Sequence, residues 1–341
     1  MPPYVPLLPP APRVCIVLLT GLGDVVLGLP LATAIRRAHP RAHITWVAEP
    51  MPAQVLEPHA AIDRVVVFEK RRGWRGVLDL RRKLAGERFD VTLNLNIYFK
   101  SVWPVLLAGG RVRLGFERGR ARDGTWLVAN RHLPAGPRRH TLDMFLEFAA
   151  ALGIDAHPLE FGLALTAAEQ AARDAFRAEV GGEYAALVPA SGNRHKDWPV
   201  ERTAAVADAL QREHGLRSVL VGGPGARETA VAKEIVARAQ TPPVWALGDG
   251  VRRLVWLIDG ARLVISPDSG PVHIARALER PVIGLYGHTN PWRVGPYRRY
   301  QELWIDAYTD GQPDPSNFEP KAGRMERITV ADVLEKVSCA L

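Results

Sequence analysis

The chain has 341 residues, of which 47% are hydrophobic, and a formal net charge of +8. It is longer than one hydrophobic core usually supports and too apolar for intrinsic disorder, so two domains are expected. Its only cysteines, Cys15 and Cys339, exclude a secreted disulfide framework and a cysteine metal site, and no apolar run approaches the roughly 18 residues of a membrane span. We therefore expect a soluble protein of a reducing cytoplasm.

Short β-branched and apolar runs alternate with helical patterns along the chain, which predicts βα units and parallel sheets. The chain begins with a proline-rich lead-in, Met1–Pro12, that is not typical of a secretory signal and is expected to be flexible or pinned to the surface. The strands predicted in the first half are Val14–Leu19, Ile44–Val47, Val65–Phe68 and Val91–Leu95. A helix is predicted to start at Val25, with Pro30 kinking it or ending a short first turn.

A second series of strands begins near residue 186. Its predicted members are Ala186–Val188, Ser218–Val221, Val244–Ala246, Leu263–Ser266 and Val282–Tyr286. The stretch Gly153–Phe161 has mixed polarity and is the candidate boundary, so we expect domains over residues 1–160 and 161–341, with the last helix free to pack back on the first domain. Ligands of such sheets bind at the carboxyl ends of the strands, so two facing sheets would place the site in the cleft between them.

Positive charge is concentrated in one part of the first half. Between Arg64 and Arg139 there are 18 Lys and Arg residues against 6 Asp and Glu residues, a local surplus of +12, which leaves −4 for the rest. The densest group is Lys70, Arg71, Arg72 and Arg75 beside Trp74. One interpretation is a solvated arginine-rich surface; the other is a site for an anionic partner such as nucleic acid, a phospholipid surface or a phosphorylated glycolipid.

A glycine-containing turn follows the first predicted strand. A dinucleotide fingerprint would need its third glycine at position 26, where Val26 stands, so NAD binding is not supported. Asp24 falls at a helix N-terminus beyond the carboxyl end of this strand. Two interpretations stay open: Asp24 caps the helix, or it acts as a general base.

Two segments of the second half have the composition of a phosphate site. The segment Pro189–Pro199 follows the predicted strand Ala186–Val188 and contains first small and polar residues and then basic ones. Within it, Lys196 could place a positive charge on a phosphate. Pro199 is expected in the first turn of the next helix. After another strand, Ser266–His273 opens a helix with Pro271 expected at the first helical position, so that the free amides around Ser269–Val272 would point at an anion. No D-x-D sequence is present to hold a metal on a nucleotide sugar, so protein groups are expected to meet the charge of a leaving diphosphate. A hydrolase triad is disfavoured because the G-x-S-x-G elbow is missing.

In their order and spacing, four stretches resemble glycosyltransferase family 9, the bacterial ADP-heptose:lipopolysaccharide heptosyltransferases. They are Gly23–Pro30, Lys196–Pro199, Asp268–His273 and Ala277–Gly287. The resemblance implies an α/β protein of the GT-B fold, with two Rossmann-like domains whose parallel sheets face each other across a cleft. It also implies an inverting, metal-independent enzyme without a cofactor, which transfers a heptose or related sugar from an ADP-sugar to the lipopolysaccharide inner core or a similar anionic glycan.

The resemblance assigns roles to individual positions. Asp24 matches the catalytic base and Lys196 the lysine near the donor phosphates. The positions that match the family's donor-binding residues are Ser191, Gly192, Glu228, Asp268, Ser269, Gly270 and His273. Those that resemble its acceptor-binding residues are Arg71, Arg72, Arg75, Lys100 and Ser101. Gly192 and Val272 depart from the more usual residues of the family, which leaves the exact donor open.

Two other functions remain as alternatives. The first is another GT-B enzyme, either a different nucleotide-sugar transferase or a sugar epimerase. The second is a non-catalytic binder of nucleotides or anionic polymers, which Asp24 beside a complete donor loop argues against. Nucleic acid is not expected as a partner, because only Trp74 interleaves with the densest basic cluster. A glycolipid acceptor would bring the protein into peripheral contact with the inner face of the inner membrane.

Overall fold

The computed structural model describes residues 8–341, so residues 1–7, and with them most of the proline-rich lead-in, lie outside the described range. The chain divides into two compact units, the first ending at Ala164 and the second beginning at Leu165. Each unit contains one six-stranded sheet in which every strand pair is parallel. The predicted α/β class with two separate parallel sheets is confirmed.

The sheet of unit 1 has the strand order β3-β2-β1-β4-β5-β6. Its strands are β1 (Arg13–Val17), β2 (His43–Ala48), β3 (Arg64–Val67), β4 (Val91–Asn94), β5 (Val112–Gly115) and β6 (Arg131–His132). Its helices are α1 (Leu22–Ala38), α2 (Pro50–Leu56), α3 (Trp74–Leu84), α4 (Val102–Ala108) and α5 (Thr141–Ala151). Short 3-10 turns lie at Lys70–Arg72, Phe99–Ser101 and Thr125–Val128.

Successive residues of β2 serve the two faces of this sheet, as strand geometry requires. Trp46 lies under α1, where a Cβ added at Gly28 would come within 3.0 Å of the indole ring. Val47 belongs instead to a buried apolar cluster that holds Leu80 of α3 and Val105 of α4. Helices α3 and α4 therefore lie side by side on one face, and α1 lies on the other.

The first helix differs from its prediction. It begins at Leu22 rather than at Val25, with Gly21 as the N-cap residue, and it continues beyond Pro30. The prediction that Pro30 ends a short first turn is wrong, because residues on both sides of it are buried and packing holds the helix together. Asp24 is the third helical residue, and the capping position carries no side-chain hydrogen bond. The interpretation of Asp24 as the cap is therefore wrong.

The sheet of unit 2 has the order β12-β11-β10-β7-β8-β9. Its strands are β7 (Tyr184–Leu187), β8 (Arg217–Leu220), β9 (Val244–Trp245), β10 (Leu263–Pro267), β11 (Val282–Tyr286) and β12 (Ile305–Asp306). Its helices are α6 (Ala167–Val180), α7 (Val200–His214), α8 (Ala226–Arg238), α9 (Val251–Gly260), α10 (Gly270–Ala277), α11 (Pro291–Val294) and α12 (Val330–Ala340). Short 3-10 turns lie at Arg194–Lys196, Gln301–Leu303 and Arg324–Arg327. The last helix, α12, contacts α7 and β11.

Three strands were not predicted from the sequence. β5 carries Arg113 at its second position, which breaks the apolar run, and β6 and β12 have only two residues each.

Two prolines at helix starts differ from their predicted positions. Pro199 is the N-cap residue that precedes α7 and does not lie in its first turn, and Pro271 is the second residue of α10 rather than the first. Within residues 8–341, no helix has both the length and the apolar composition needed to cross a bilayer.

Candidate active site

In unit 2 four loops follow neighbouring strands at the edge where those strands end, and two of them carry predicted donor-binding residues. The segment 188–199 follows β7, 268–269 follows β10, 287–290 follows β11 and 221–225 follows β8. Because β11, β10, β7 and β8 are adjacent and parallel, their carboxyl ends meet at one edge of the sheet. This edge is where open α/β sheets bind ligands.

Lys196 and Asp268 form the centre of this edge. The Lys196 ammonium donates to Asp268 Oδ2 at 2.6 Å, and the Thr289 hydroxyl donates to the same oxygen at 2.7 Å. Burial alone would raise the pKa of the Asp268 carboxyl, but the positive charges of Lys196 and His273 and the two hydrogen bonds outweigh it and hold the pKa below its usual value. Asp268 is therefore a buried carboxylate kept ionised by a lysine that is itself still partly exposed.

Ser191 and Asp197 fix the shape of the loop after β7. The Ser191 amide donates to Asp197 Oδ1 at 2.8 Å, and the Ser191 hydroxyl donates to the Asn193 carbonyl at 2.8 Å. Arg227, in the first turn of α8, donates to the other Asp197 oxygen and to the Ser191 carbonyl. A Cβ at Gly192 would meet no atom within 4 Å, so a ligand could approach the loop backbone there.

The N-terminus of α10 lies directly beyond Asp268. Its N-cap residue, Ser269, makes no side-chain capping bond; its hydroxyl donates to the Pro267 carbonyl at 3.0 Å and lies 3.0 Å from the Ser266 hydroxyl. Pro271 has no N–H and the Val272 amide donates to the Ser269 carbonyl at 3.2 Å, so the Gly270 amide is the first-turn donor best placed to bind an anion. His273, in the same first turn, is buried.

Glu228 lies beside the glycine-rich loop after β8. It is the third residue of α8, and a Cβ added at Gly223 or Gly225 would come within 2.9 or 3.1 Å of its carboxylate. The small residues of this loop thus make room for the acid. The predicted proximity of Glu228 to a donor nucleoside stays a prediction.

Unit 1 gathers charged groups at the corresponding edge of its own sheet. Asp24, Glu49, Lys70 and Lys100 follow β1, β2, β3 and β4, which are neighbours in the sheet. Lys70 pairs with Glu49 at 2.6 Å. Burial lowers the pKa of the Lys100 ammonium, and repulsion by Lys70 lowers it further, against the attraction of Glu49 and Asp24. The candidate base Asp24 and the candidate acceptor residue Lys100 are therefore electrostatic neighbours.

The remaining candidate acceptor residues differ in exposure. Arg71, Arg72 and Arg75 are exposed, and only Arg72 has an acidic neighbour within the described chain, Glu69 at 3.7 Å. Ser101 is buried, and its hydroxyl donates to a backbone carbonyl at 3.2 Å, which fits a role in shaping the turn that presents Lys100.

The structure adds residues that the motifs did not identify. Thr289 and Arg227 hold Asp268 and Asp197, and the His195 ring stacks on that of His288 at 5.6 Å between centroids. No sequence signal points to Thr289, because its partner lies on another loop. Across residues 8–341, no group of three or more His, Cys, Asp and Glu side chains is arranged to hold a metal ion.

The family model described as glycosyltransferase family 9 (heptosyltransferase) matches residues 77–314. The lipopolysaccharide core heptosyltransferase OpsX of Haemophilus influenzae is 32% identical over 300 residues, which cover 87% of this chain and 86% of that protein. The structure of the E. coli heptosyltransferase WaaC with ADP-2-deoxy-2-fluoro heptose is 25% identical, with a TM-score of 0.76, and the match covers 96% of this chain and 100% of that one. A family 9 glycosyltransferase structure from Veillonella parvula matches with a TM-score of 0.82 at 23% identity, over 96% of this chain and 97% of that one.

Proposed function

The chain belongs to glycosyltransferase family 9, and from this membership we propose that it transfers a heptose from ADP-heptose to the inner core of lipopolysaccharide. It is a glycosyltransferase of the GT-B fold. The names of its relatives support both substrates: one is a lipopolysaccharide core heptosyltransferase, and another was solved with an ADP-heptose analogue.

The observation that carries the donor half of the proposal is the group around Lys196 at the edge of the second sheet. A diphosphate bound there would meet the Lys196 ammonium, the open backbone at Gly192 and the N-terminus of α10 with its Gly270 amide. These groups stabilise negative charge without a metal, and that charge grows as the diphosphate leaves. Asp268 holds Lys196 in place through the 2.6 Å contact.

The acceptor half of the proposal rests on Asp24. Its carboxylate would accept the proton of the acceptor hydroxyl while the hydroxyl oxygen attacks the anomeric carbon of the heptose. The bond from that carbon to the diphosphate oxygen breaks on the opposite side, so the configuration inverts and ADP leaves. Lys100, the electrostatic neighbour of Asp24, would bind an anionic group of the acceptor together with Arg71, Arg72 and Arg75.

The proposed acceptor is anchored in a membrane by its lipid. We therefore place the enzyme in the cytoplasm, with peripheral contact at the inner face of the inner membrane. The surplus of +12 between Arg64 and Arg139 supports this placement, because both the inner core and the inner leaflet are anionic.

A transfer assay with defined substrates tests the proposed function. The purified protein is incubated with ADP-heptose and an inner-core acceptor, and the product is followed by mass spectrometry and its anomeric configuration by NMR. We expect transfer with inversion, and stabilisation of the folded protein by ADP-heptose but not by a UDP-sugar at the same concentration. Transfer from a UDP-sugar alone, or retention of configuration, would overturn the proposal.

A further inference from the structure

Unit 1 exposes large apolar side chains on the two helices that lie side by side on one face of its sheet. Five of these exposed residues lie on α3, on α4 or on the 3-10 turn before α4, and we call them the aromatic patch: Trp74, Leu78, Phe99, Trp103 and Leu106. Trp74 is 62% exposed and Trp103 is 42% exposed. Large apolar side chains left exposed as a group indicate a binding surface rather than part of a core.

The patch is continuous across the contact between the two helices. The rings of Trp74 and Trp103 meet edge to face at 5.5 Å between centroids. Leu78 lies one turn beyond Trp74 on α3, and Leu106 lies one turn beyond Trp103 on α4, so both leucines extend the same surface. Beyond α4, Leu127 is 76% exposed on a turn that packs against this helix.

Exposed arginines lie beside the aromatic patch on α3 and on the turn before it. Arg71 and Arg75 flank Trp74, and Arg81 and Arg82 follow on the solvent side of α3. Within residues 8–341, the side chains of Arg71 and Arg75 make neither a hydrogen bond nor an ion pair, so their charge is available to a partner. Tryptophan beside exposed arginine is the combination that binds the interface of an anionic bilayer.

We propose that the aromatic patch docks unit 1 on an anionic phospholipid surface, with the indole rings of Trp74 and Trp103 inserted at the headgroup level. The choice of a bilayer as the occupant rests on the proposed function, whose acceptor is a glycolipid, and on the charge complementarity between the arginines and anionic lipids. A second copy of the chain fits less well, because a symmetric contact would bring the same arginines against each other.

The position of the patch connects docking to transfer. Trp74 is the first residue of α3 and Trp103 lies in the first turn of α4, so both lie near the sheet edge that carries Asp24 and Lys100. A protein docked through this surface would hold the candidate base close to the headgroup layer, where the glycan of a glycolipid begins.

Vesicle binding tests the docking surface without reference to catalysis. We compare the parent protein with Trp74→Ser/Trp103→Ser and with Trp245→Ser, a matched control because Trp245 is 43% exposed but lies on β9 of unit 2. Binding is measured by flotation with phosphatidylcholine vesicles, with and without phosphatidylglycerol. We expect the parent and the control to bind only the anionic vesicles, more weakly as salt is raised, and the double variant to bind at least about tenfold more weakly.

A second variant protects the test against a folding defect. Leu78→Ser/Leu106→Ser removes other members of the patch, and a melting curve verifies that each variant is folded. Equal vesicle binding by the parent and by both folded patch variants would overturn the proposal. Failure of the parent to bind anionic vesicles would also overturn it. In that case, loss of a concentration-dependent dimer in the patch variants would show that the patch binds a second copy of the chain.

Transfer assays separate this inference from the proposed function. With a water-soluble, deacylated acceptor, the patch variants should match the parent, whereas with the acceptor embedded in anionic vesicles their apparent KM should rise about tenfold. If no heptose is transferred in either format, the proposed function fails while the vesicle measurement still decides the docking surface.

Discussion

Replacement of Lys196 by methionine tests whether Lys196 and Asp268 act as one unit. Methionine keeps most of the side-chain volume but removes the ammonium, which leaves Asp268 buried beside the Thr289 hydroxyl, which donates to it at 2.7 Å, and the positive charge of His273. Breaking a fully buried ion pair costs about 3–5 kcal/mol. Since Lys196 retains 24% of its side-chain exposure, water can replace part of the interaction, and we expect the ligand-free protein to lose about 1–3 kcal/mol.

The pH dependence of this loss has a definite sign. In the parent, the folded-state pKa of Asp268 is depressed, so its ionised form contributes stability above the ordinary pKa of the carboxyl, and this contribution is lost as the pH falls through the folded-state value. In Lys196→Met the burial of Asp268 is no longer offset by the ammonium, so we expect its folded-state pKa to rise. The deficit of the variant should therefore be largest at neutral pH and shrink in acid, as the variant takes up a proton without unfolding.

Thermal unfolding of four proteins measures the coupling: the parent, Lys196→Met, Asp268→Asn and the double variant. The expected loss corresponds to a fall in Tm of about 2–12 °C for a unit of this size. In the double variant the uncompensated charge is gone, so most of the stability should return. An equal effect of Lys196→Met in the parent and in the Asp268→Asn background would refute the reasoning.

Donor binding gives the same four proteins a second readout. Added ADP stabilises a protein according to how strongly the folded state binds it. If Lys196 contacts the diphosphate, the stabilisation by ADP should be smaller in Lys196→Met and should persist in Asp268→Asn, which still has the ammonium. Equal stabilisation of the parent and Lys196→Met would remove the lysine from the donor site and leave it a structural role.

Three further predictions concern catalysis and the acceptor. Asp24→Asn should lower kcat by roughly two to four orders of magnitude with little change in ADP-heptose affinity or Tm, because it removes a base without changing the shape of the side chain. Transfer at the parent rate would show that Asp24 is not the base. EDTA should leave the transfer rate unchanged, since Lys196 and the N-terminus of α10 are expected to meet the diphosphate charge. A complete loss of transfer, restored by magnesium or manganese, would contradict this. Arg71→Ala/Arg72→Ala should raise the acceptor KM, most strongly at low salt, and leave ADP-heptose binding unchanged. If this double variant is folded and its acceptor KM equals that of the control Arg212→Ala, the arginine cluster around Arg71 and Arg72 is only a solvated surface.

Strong local patterns in the sequence predicted most strands, and weak ones did not. Val282–Tyr286 is a run of apolar residues between a proline and a glycine, and its predicted bounds are those of β11. β5 is not predicted because its second residue, Arg113, is charged. That arginine is tolerated because its guanidinium donates to the Val128 carbonyl at 2.8 Å. The two-residue strands β6 and β12 are defined by parallel pairing with β5 and β11, and a local sequence pattern does not encode such pairing.

In the candidate site, too, local features could be predicted from the sequence and long-range contacts could not. The phosphate-binding character of the segments around Lys196 and Asp268 could be predicted, because small residues, a lysine and a helix start are local features. Their direct contact could not, since the two residues are 72 positions apart and meet only because β7 and β10 are neighbours in the sheet. The helix around Asp24 shows the opposite case: local reasoning started the helix at Val25 and left open whether Asp24 caps it, whereas packing extends the helix back to Leu22.

The cationic side chains proposed to bind ligands differ between the two units in whether they are already paired with carboxylates. In unit 2, Lys196 and Arg227 already hold carboxylates, those of Asp268 and Asp197, so a diphosphate would enter a site whose positive charge is fixed in position and partly neutralised. Such a site loses little side-chain entropy on binding, and its geometry selects the ligand. In unit 1, Arg71 and Arg75 beside Trp74 keep their charge unneutralised and their side chains unfixed, which favours attraction of an extended anionic surface over recognition of one group. Specificity for the sugar donor and attraction to the acceptor would then reside in different units.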